Sequence, residues 1–156
     1  MEKSFSRKAR LREEVGYELR QLQRLAAEAG EHTTGPDSEH SSWDAAAAAK
    51  YISDLFGGLE NLWKRRCVFL NVRPPAGPDS HLQVLKDFLA APGLGDSISP
   101  GMAARLRKYL DFRHRFIHGY GFMVTWEMVA EPLRDLPETV AVLTAAWTGW
   151  LDNLPD

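Results

Sequence analysis

Apolar residues recur at steps of four and three along nearly the whole chain, a period that fits helices and not sheets. The last third shows it most fully: Val129, Leu133, Leu136, Val140, Leu143, Trp147, Trp150 and Leu154 form one unbroken stripe. Near the start, Leu11, Val15, Leu19, Leu22, Ala26 and Ala29 do the same over a helix expected at 4–29. Between them, Ala48, Tyr51, Ile52, Leu55, Leu59, Leu62 and Trp63 trace one face of a helix from about Trp43 to Leu70. No alternating pattern and no internal repeat is present. Stripes of this kind are buried by packing against antiparallel neighbours. The expected fold is all-α, an up-and-down helical bundle of about five helices in one domain over residues 1–156.

Glycine, proline and capping residues punctuate the stripes. Gly30 can end the first helix, and the polar stretch 31–42, with Gly35-Pro36, reads as a mobile loop. Gly57-Gly58 interrupts the second stripe, which implies either a kink or a close helix crossing. Pro74-Pro75-Ala76-Gly77-Pro78 breaks the chain. Ser80 to Gln83 has capping-box form and opens a short helix to about Ala90. Ser99-Pro100 reads as an N-cap followed by proline at the first helical position, starting a helix that runs to about His118. Gly119 and Gly121 release the chain, Thr125 can cap a fifth helix at about 126–153, and Pro132 and Pro137 are expected to kink or interrupt its first half.

Several function classes are excluded at once. No apolar run approaches the roughly 18 residues of a membrane span, so no membrane association is expected. Met1 to Lys8 carries no apolar stretch behind its basic residues, so no secretory leader is expected. Cys67 is the only cysteine, which rules out an internal disulfide and a multi-cysteine zinc site and favours the cytoplasm. The five histidines do not cluster at metal spacing, and no glycine-rich phosphate loop follows a strand. Ser80 lacks the context of a nucleophile and reads better as a helix cap. The formal net charge of −2 argues against a general nucleic-acid binder. Two local stretches are nevertheless basic: 105–118, with Arg105, Arg107, Lys108, Arg113 and Arg115 against Asp111, and 64–73, with Lys64, Arg65, Arg66 and Arg73. They read either as solvated helix faces or as surfaces that hold phosphates.

The fourth helix contains a conflict. Leu106, Leu110 and Ile117 share a stripe, and Arg113 falls only about 20° from Leu106 on the helical wheel. An arginine beside an apolar face must meet a carboxylate, reach a cleft or face another subunit. An internal acid such as Asp54 or Glu60 can pair with it. His118 lies about 140° round the wheel from Arg113; if the helix end frays, both can still converge on one groove, and a second copy across a two-fold axis would bring two arginines and two histidines together. Glu60 either orients Arg113 or is a surface acid paired with Lys64 one turn on. His81 reads as a first-turn surface histidine, and Cys67 as a packed thiol.

Phe112-Arg113-His114 followed by His118-Gly119-Tyr120 resembles the R-x4-H-x-Y signature of HepT-like proteins in the HEPN superfamily. Tyr51 to Leu62 is similar to that family's second helix, which carries a glutamate at the position of Glu60. Ser80 to Leu85 is similar to its next, histidine-containing segment. The resemblance covers about 45–153. It implies a bundle that forms a homodimer with the two motifs facing each other, and a metal-independent endoribonuclease without cofactor. Arg113 and His118 would be catalytic, with Glu60 and His114 in support. His118 would act as base on a ribose 2′-hydroxyl or as acid on the leaving oxygen, and Arg113 would stabilise the phosphate. The products would be a 2′,3′-cyclic phosphate and a 5′-hydroxyl. Tyr120 corresponds to the tyrosine to which a nucleotidyltransferase antitoxin adds AMP, in a toxin–antitoxin pair. The alternative is a noncatalytic HEPN module that binds a nucleotide or a nucleotidyltransferase partner.

Overall fold

The computed structural model describes the backbone of residues 2–155 and the side chains from Ser6 to Pro155. Met1 and Asp156, the ends of the expected domain, lie outside the described residues. Among the described residues six α-helices follow in order: α1 (Glu2–Glu31), α2 (Ser42–Leu70), α3 (Ser80–Ala90), α4 (Pro100–His118), α5 (Trp126–Arg134) and α6 (Leu136–Asp152), with short 3₁₀ turns between some of them. No strand occurs among the described residues. The chain is an all-α bundle, as the stripes require. Among the described residues, no helix is long and apolar enough to cross a membrane.

The stripes become the core. Every residue of the α1 stripe is buried, and so is every residue of the C-terminal stripe except Leu154, which is partly buried against the same core. The central helix is α2, which packs on α1, α4 and α5. Its start carries a capping box: Ser41 Oγ accepts from Asp44 N, and Asp44 Oδ2 accepts from Ser41 N at 2.8 Å. It ends on Asn71, whose φ of 56° is the left-handed conformation asparagine tolerates at a helix exit.

Gly57-Gly58 marks a close crossing, and α2 continues through it as one helix. A Cβ on Gly58 would lie 2.5 Å from Leu22 Cδ2 of α1, whereas one on Gly57 would meet nothing within 4 Å. The two glycines should therefore respond in opposite directions. Gly58→Ala is expected to destabilise by roughly 1–3 kcal/mol through overpacking. Gly57→Ala is expected to stabilise by roughly 0.5–1 kcal/mol through helix propensity. Urea unfolding of the two variants measures both; the same sign in both would contradict the crossing.

The expected fifth helix is divided in two at Asp135. Pro137, in the first turn of α6, has no N–H to offer the Leu133 carbonyl, so the ladder cannot run through. Tyr109 of α4 seals the break: its hydroxyl donates to the carbonyl of Pro132 at 2.7 Å. Burial pushes the Tyr109 hydroxyl up to about 12. A raised value means that the protonated form is favoured by folding. Its contribution is complete below about pH 10 and is lost as pH climbs toward 12, amounting to about 2–3 kcal/mol. Denaturant midpoints across that range should fall more steeply for the wild type than for Tyr109→Phe.

Three capping expectations resolve differently. Ser99 accepts from Met102 N at 3.1 Å and caps α4 as its sequence suggests. Thr125 stands at the N-cap of α5, but its side chain makes no capping bond. The N-cap of α3 is Asp79, not Ser80, and Gln83 turns instead to Asp87 at 2.6 Å. The 31–42 segment contains a 3₁₀ turn at Asp37–Glu39 and is tied to α5. Asp37 Oδ1 accepts from Trp126 Nε1 at 3.1 Å, and the His40 ring stacks on Trp126 with centroids 3.7 Å apart. The hydrogen bonds that Asp37 accepts from Trp126 and, at 2.6 Å, from Arg134 hold its carboxyl below the usual carboxylate range.

Candidate active site

Helix α4 buries Met102, Leu106, Tyr109, Leu110 and Phe112, and beyond Phe112 it buries nothing fully. Ile117, placed on the apolar stripe by its spacing, is 53% exposed. In the last turn and a half of α4 only Phe116 still packs against the core, while His114, Arg115, Ile117 and His118 are exposed. The basic run of this helix does not act as one surface. Arg105 reaches Asp135 at 3.7 Å and Glu138 at 3.5 Å, and Arg107 pairs with Asp111 at 3.1 Å. Lys108 and Arg115 face solvent. The run at 64–73 is dispersed too: Arg65 lies 3.7 Å from Glu14, and Arg66 lies over the Trp63 and Trp150 rings at 4.6 and 5.7 Å.

Arg113 turns inward. Its Nη1 donates toward His81 Nε2 at 3.2 Å, and its Nη2 lies 4.0 Å from Glu60 Oε1. His81 Nδ1 in turn lies 2.8 Å from Glu60 Oε2. Glu60 is only 8% exposed, so it is not a surface acid paired with Lys64. Asp54, the other internal acid on α2, instead pairs with Lys50 at 2.5 Å. The carboxylate supplied by α2, the imidazole supplied by α3 and the guanidinium supplied by α4 therefore meet in one cluster. A buried carboxylate and a half-buried guanidinium are tolerated there because each has a partner.

Arg113 and His118 border the same groove, of about 820 Å³, between α4 and the start of α3. They do so although α4 remains helical through His118, so no fraying is needed. His114 and His118, one turn apart, also border it, and their rings meet edge to face with centroids 4.7 Å apart. The lining is partly apolar, with Leu82, Leu110 and Ile117. Tyr120 lies two residues beyond His118, is 70% exposed and is not among the residues bordering the groove. Its ring stacks on Phe122 at 5.4 Å. Among the described residues, no group of three or more His, Cys, Asp or Glu side chains could hold a metal ion.

A groove of this kind presents a fixed cation at one point and an exposed pair of imidazoles at another. The first can hold a phosphate and the second can move protons. The profile of one protein family, described as HepT-like protein, matches residues 47–154. The chain belongs to the HepT-like family. Comparison with curated proteins and with solved structures gives no match. The part of this HepT-like chain covered by the family runs from α2 through α6 and includes Glu60, His81, Arg113, His114, His118 and Tyr120. Helix α1 lies outside it.

His81 is the residue the sequence undervalued. Nothing in its own segment separates it from a surface histidine, because its partners come from two other helices. The available signal was its place in the segment similar to the family's histidine-containing one.

Proposed function

We propose that this HepT-like protein is a metal-independent endoribonuclease and the toxin of a toxin–antitoxin pair. The observation that carries the reading is the sharing of one solvent-open groove by Arg113 and His118, with Arg113 held from behind by Glu60 and His81. In this reading a phosphodiester lies along the groove with a non-bridging oxygen on the Arg113 guanidinium. His118 takes the proton of the adjacent ribose 2′-hydroxyl, and the 2′-oxygen attacks phosphorus. The P–O5′ bond breaks, and the leaving oxygen takes a proton from an imidazolium, either the same histidine in a later step or its copy in a second protomer. Arg113 stabilises charge as it builds on the pentacovalent phosphorus. The ends are a 2′,3′-cyclic phosphate and a 5′-hydroxyl. His114, edge to face with His118, orients that ring or adds a phosphate contact.

A homodimer fits the exposed run Ile117, Tyr120, Phe122 and Met123 at the end of α4 and just after it, apolar surface of the sort that marks interaction sites. The sharing of residues across two copies supplies the second imidazole. Tyr120 is the acceptor for AMP from a nucleotidyltransferase antitoxin; its exposure leaves the hydroxyl open to such an enzyme, and the added charge and bulk would oppose RNA. The setting is the cytoplasm. Intact-mass measurement after incubation with a cognate nucleotidyltransferase and ATP should show one adenylyl group per chain, absent in Tyr120→Phe.

The second reading is a noncatalytic module that binds a nucleotide or the nucleotidyltransferase, and the acidic overall balance favours it. Purified full chain incubated with single-stranded RNA and a chelator separates the two. Cleavage supports the ribonuclease; retention of RNA or of the partner without cleavage supports the module.

A further inference from the structure

His81 lies between two charged groups of opposite sign. A carboxylate only accepts hydrogen bonds and a guanidinium only donates them. The contact at 2.8 Å to Glu60 therefore uses a proton on Nδ1, and the contact at 3.2 Å to Arg113 uses a lone pair on Nε2. Only the neutral ring with its proton on Nδ1 satisfies both; free imidazole side chains favour the other tautomer. The direct approach of Arg113 to Glu60 is longer, at 4.0 Å. The imidazole is thus the tighter link between the buried acid and the cation.

We propose that His81 is a positioning residue. As the Nδ1–H tautomer it transmits the hold of Glu60 to Arg113 and fixes the guanidinium at the groove, leaving the other N–H donors of that side chain for a phosphate. The catalytic consequence rests on the ribonuclease reading; the tautomer and the ordering of Arg113 do not. The device works as second-sphere hydrogen bonds do elsewhere, by setting both the orientation of a group and the protonation of its neighbour. A glutamine can replace it in part, because its amide donates and accepts through atoms spaced like the two ring nitrogens.

The test has two arms on the full chain. In ¹⁵N-labelled protein near neutral pH, long-range proton–nitrogen correlation of the histidine rings, assigned with His81→Gln, should show His81 protonated at Nδ1 and bare at Nε2. The Arg113 Nε–H signal should be distinct in wild type and His81→Gln and lost to exchange in His81→Ala. A ring protonated at Nε2, or an Arg113 signal unchanged in His81→Ala, overturns the proposal. In RNA cleavage, kcat should fall on the order of 10²-fold in His81→Ala, with KM moving less and His81→Gln recovering most of the loss. A folded His81→Gln as impaired as His81→Ala also overturns it. If wild type cleaves nothing, the ribonuclease reading fails alone and the spectra still decide the role of His81.

Discussion

His118→Ala should lower the rate of RNA cleavage by roughly 10²–10⁴-fold, the usual contribution of a positioned acid or base. Arg113→Ala should lower it by roughly 10²–10³-fold, the cost of removing one donor from a developing charge. The two differ in what else they disturb. His118 is exposed at the end of α4, so its removal should leave thermal unfolding unchanged. Arg113 is half-buried against Glu60 and His81, and its loss leaves a buried carboxylate with one partner fewer. Arg113→Ala should therefore lose some stability as well, and Arg113→Lys separates the two effects. Lysine keeps the charge near Glu60 but not the planar fork, so stability should return while most of the activity does not. The double variant should be little worse than His118→Ala, because groups acting in one step are not additive. Single-turnover cleavage with circular dichroism on each variant measures all of this. Full activity in both alanine variants with the fold intact would remove Arg113 and His118 from the chemistry.

The second large effect falls on the frame. Trp147→Ala should destabilise by roughly 3–5 kcal/mol, a large part of the roughly 5–15 kcal/mol that holds a domain of this size together. Trp147 is completely buried on α6. Its ring packs on Phe88 of α3 with centroids 6.0 Å apart and meets Trp150 edge to face at 5.6 Å. A cavity there unlinks α6 from α3, the helix that carries His81. The Trp147 indole N–H is buried with no hydrogen-bond partner among the described residues. Trp147→Phe removes that donor and keeps a ring, so it should cost much less than Trp147→Ala. Guanidinium unfolding of the three proteins gives the order: wild type and Trp147→Phe close together, Trp147→Ala far below. Equal losses in both variants would mean that the ring packing is not what holds this corner.

What could be read from the chain follows from range. A stripe is a local pattern, so Leu11 to Ala29 and Val129 to Trp150 name their own buried faces, and Pro137 names its own break. The Ser99 cap is equally local. Ile117 was misplaced because a stripe gives a direction but not the point at which the neighbouring helix ends. At the site, the conflict of Arg113 with its apolar neighbours was visible, and Glu60 was one of two acids that could resolve it. The choice between Glu60 and Asp54 depends on the packing of α2 against α4, which no local spacing states. His81 reads as a surface histidine for the same reason, since its partners stand 21 positions before and 32 after it. The capping box at Ser41 and Asp44 was hidden by an acidic residue shorter than the expected glutamate.

The most direct measurement is the chemistry of the cut ends. Purified full chain, given single-stranded RNA and excess chelator, should yield fragments that mass spectrometry reads as 2′,3′-cyclic phosphates upstream and 5′-hydroxyls downstream. Fragments ending in 3′-hydroxyl and 5′-phosphate, or RNA that stays whole beside well-folded protein, would contradict an imidazole and a guanidinium sharing that groove as the cleaving pair.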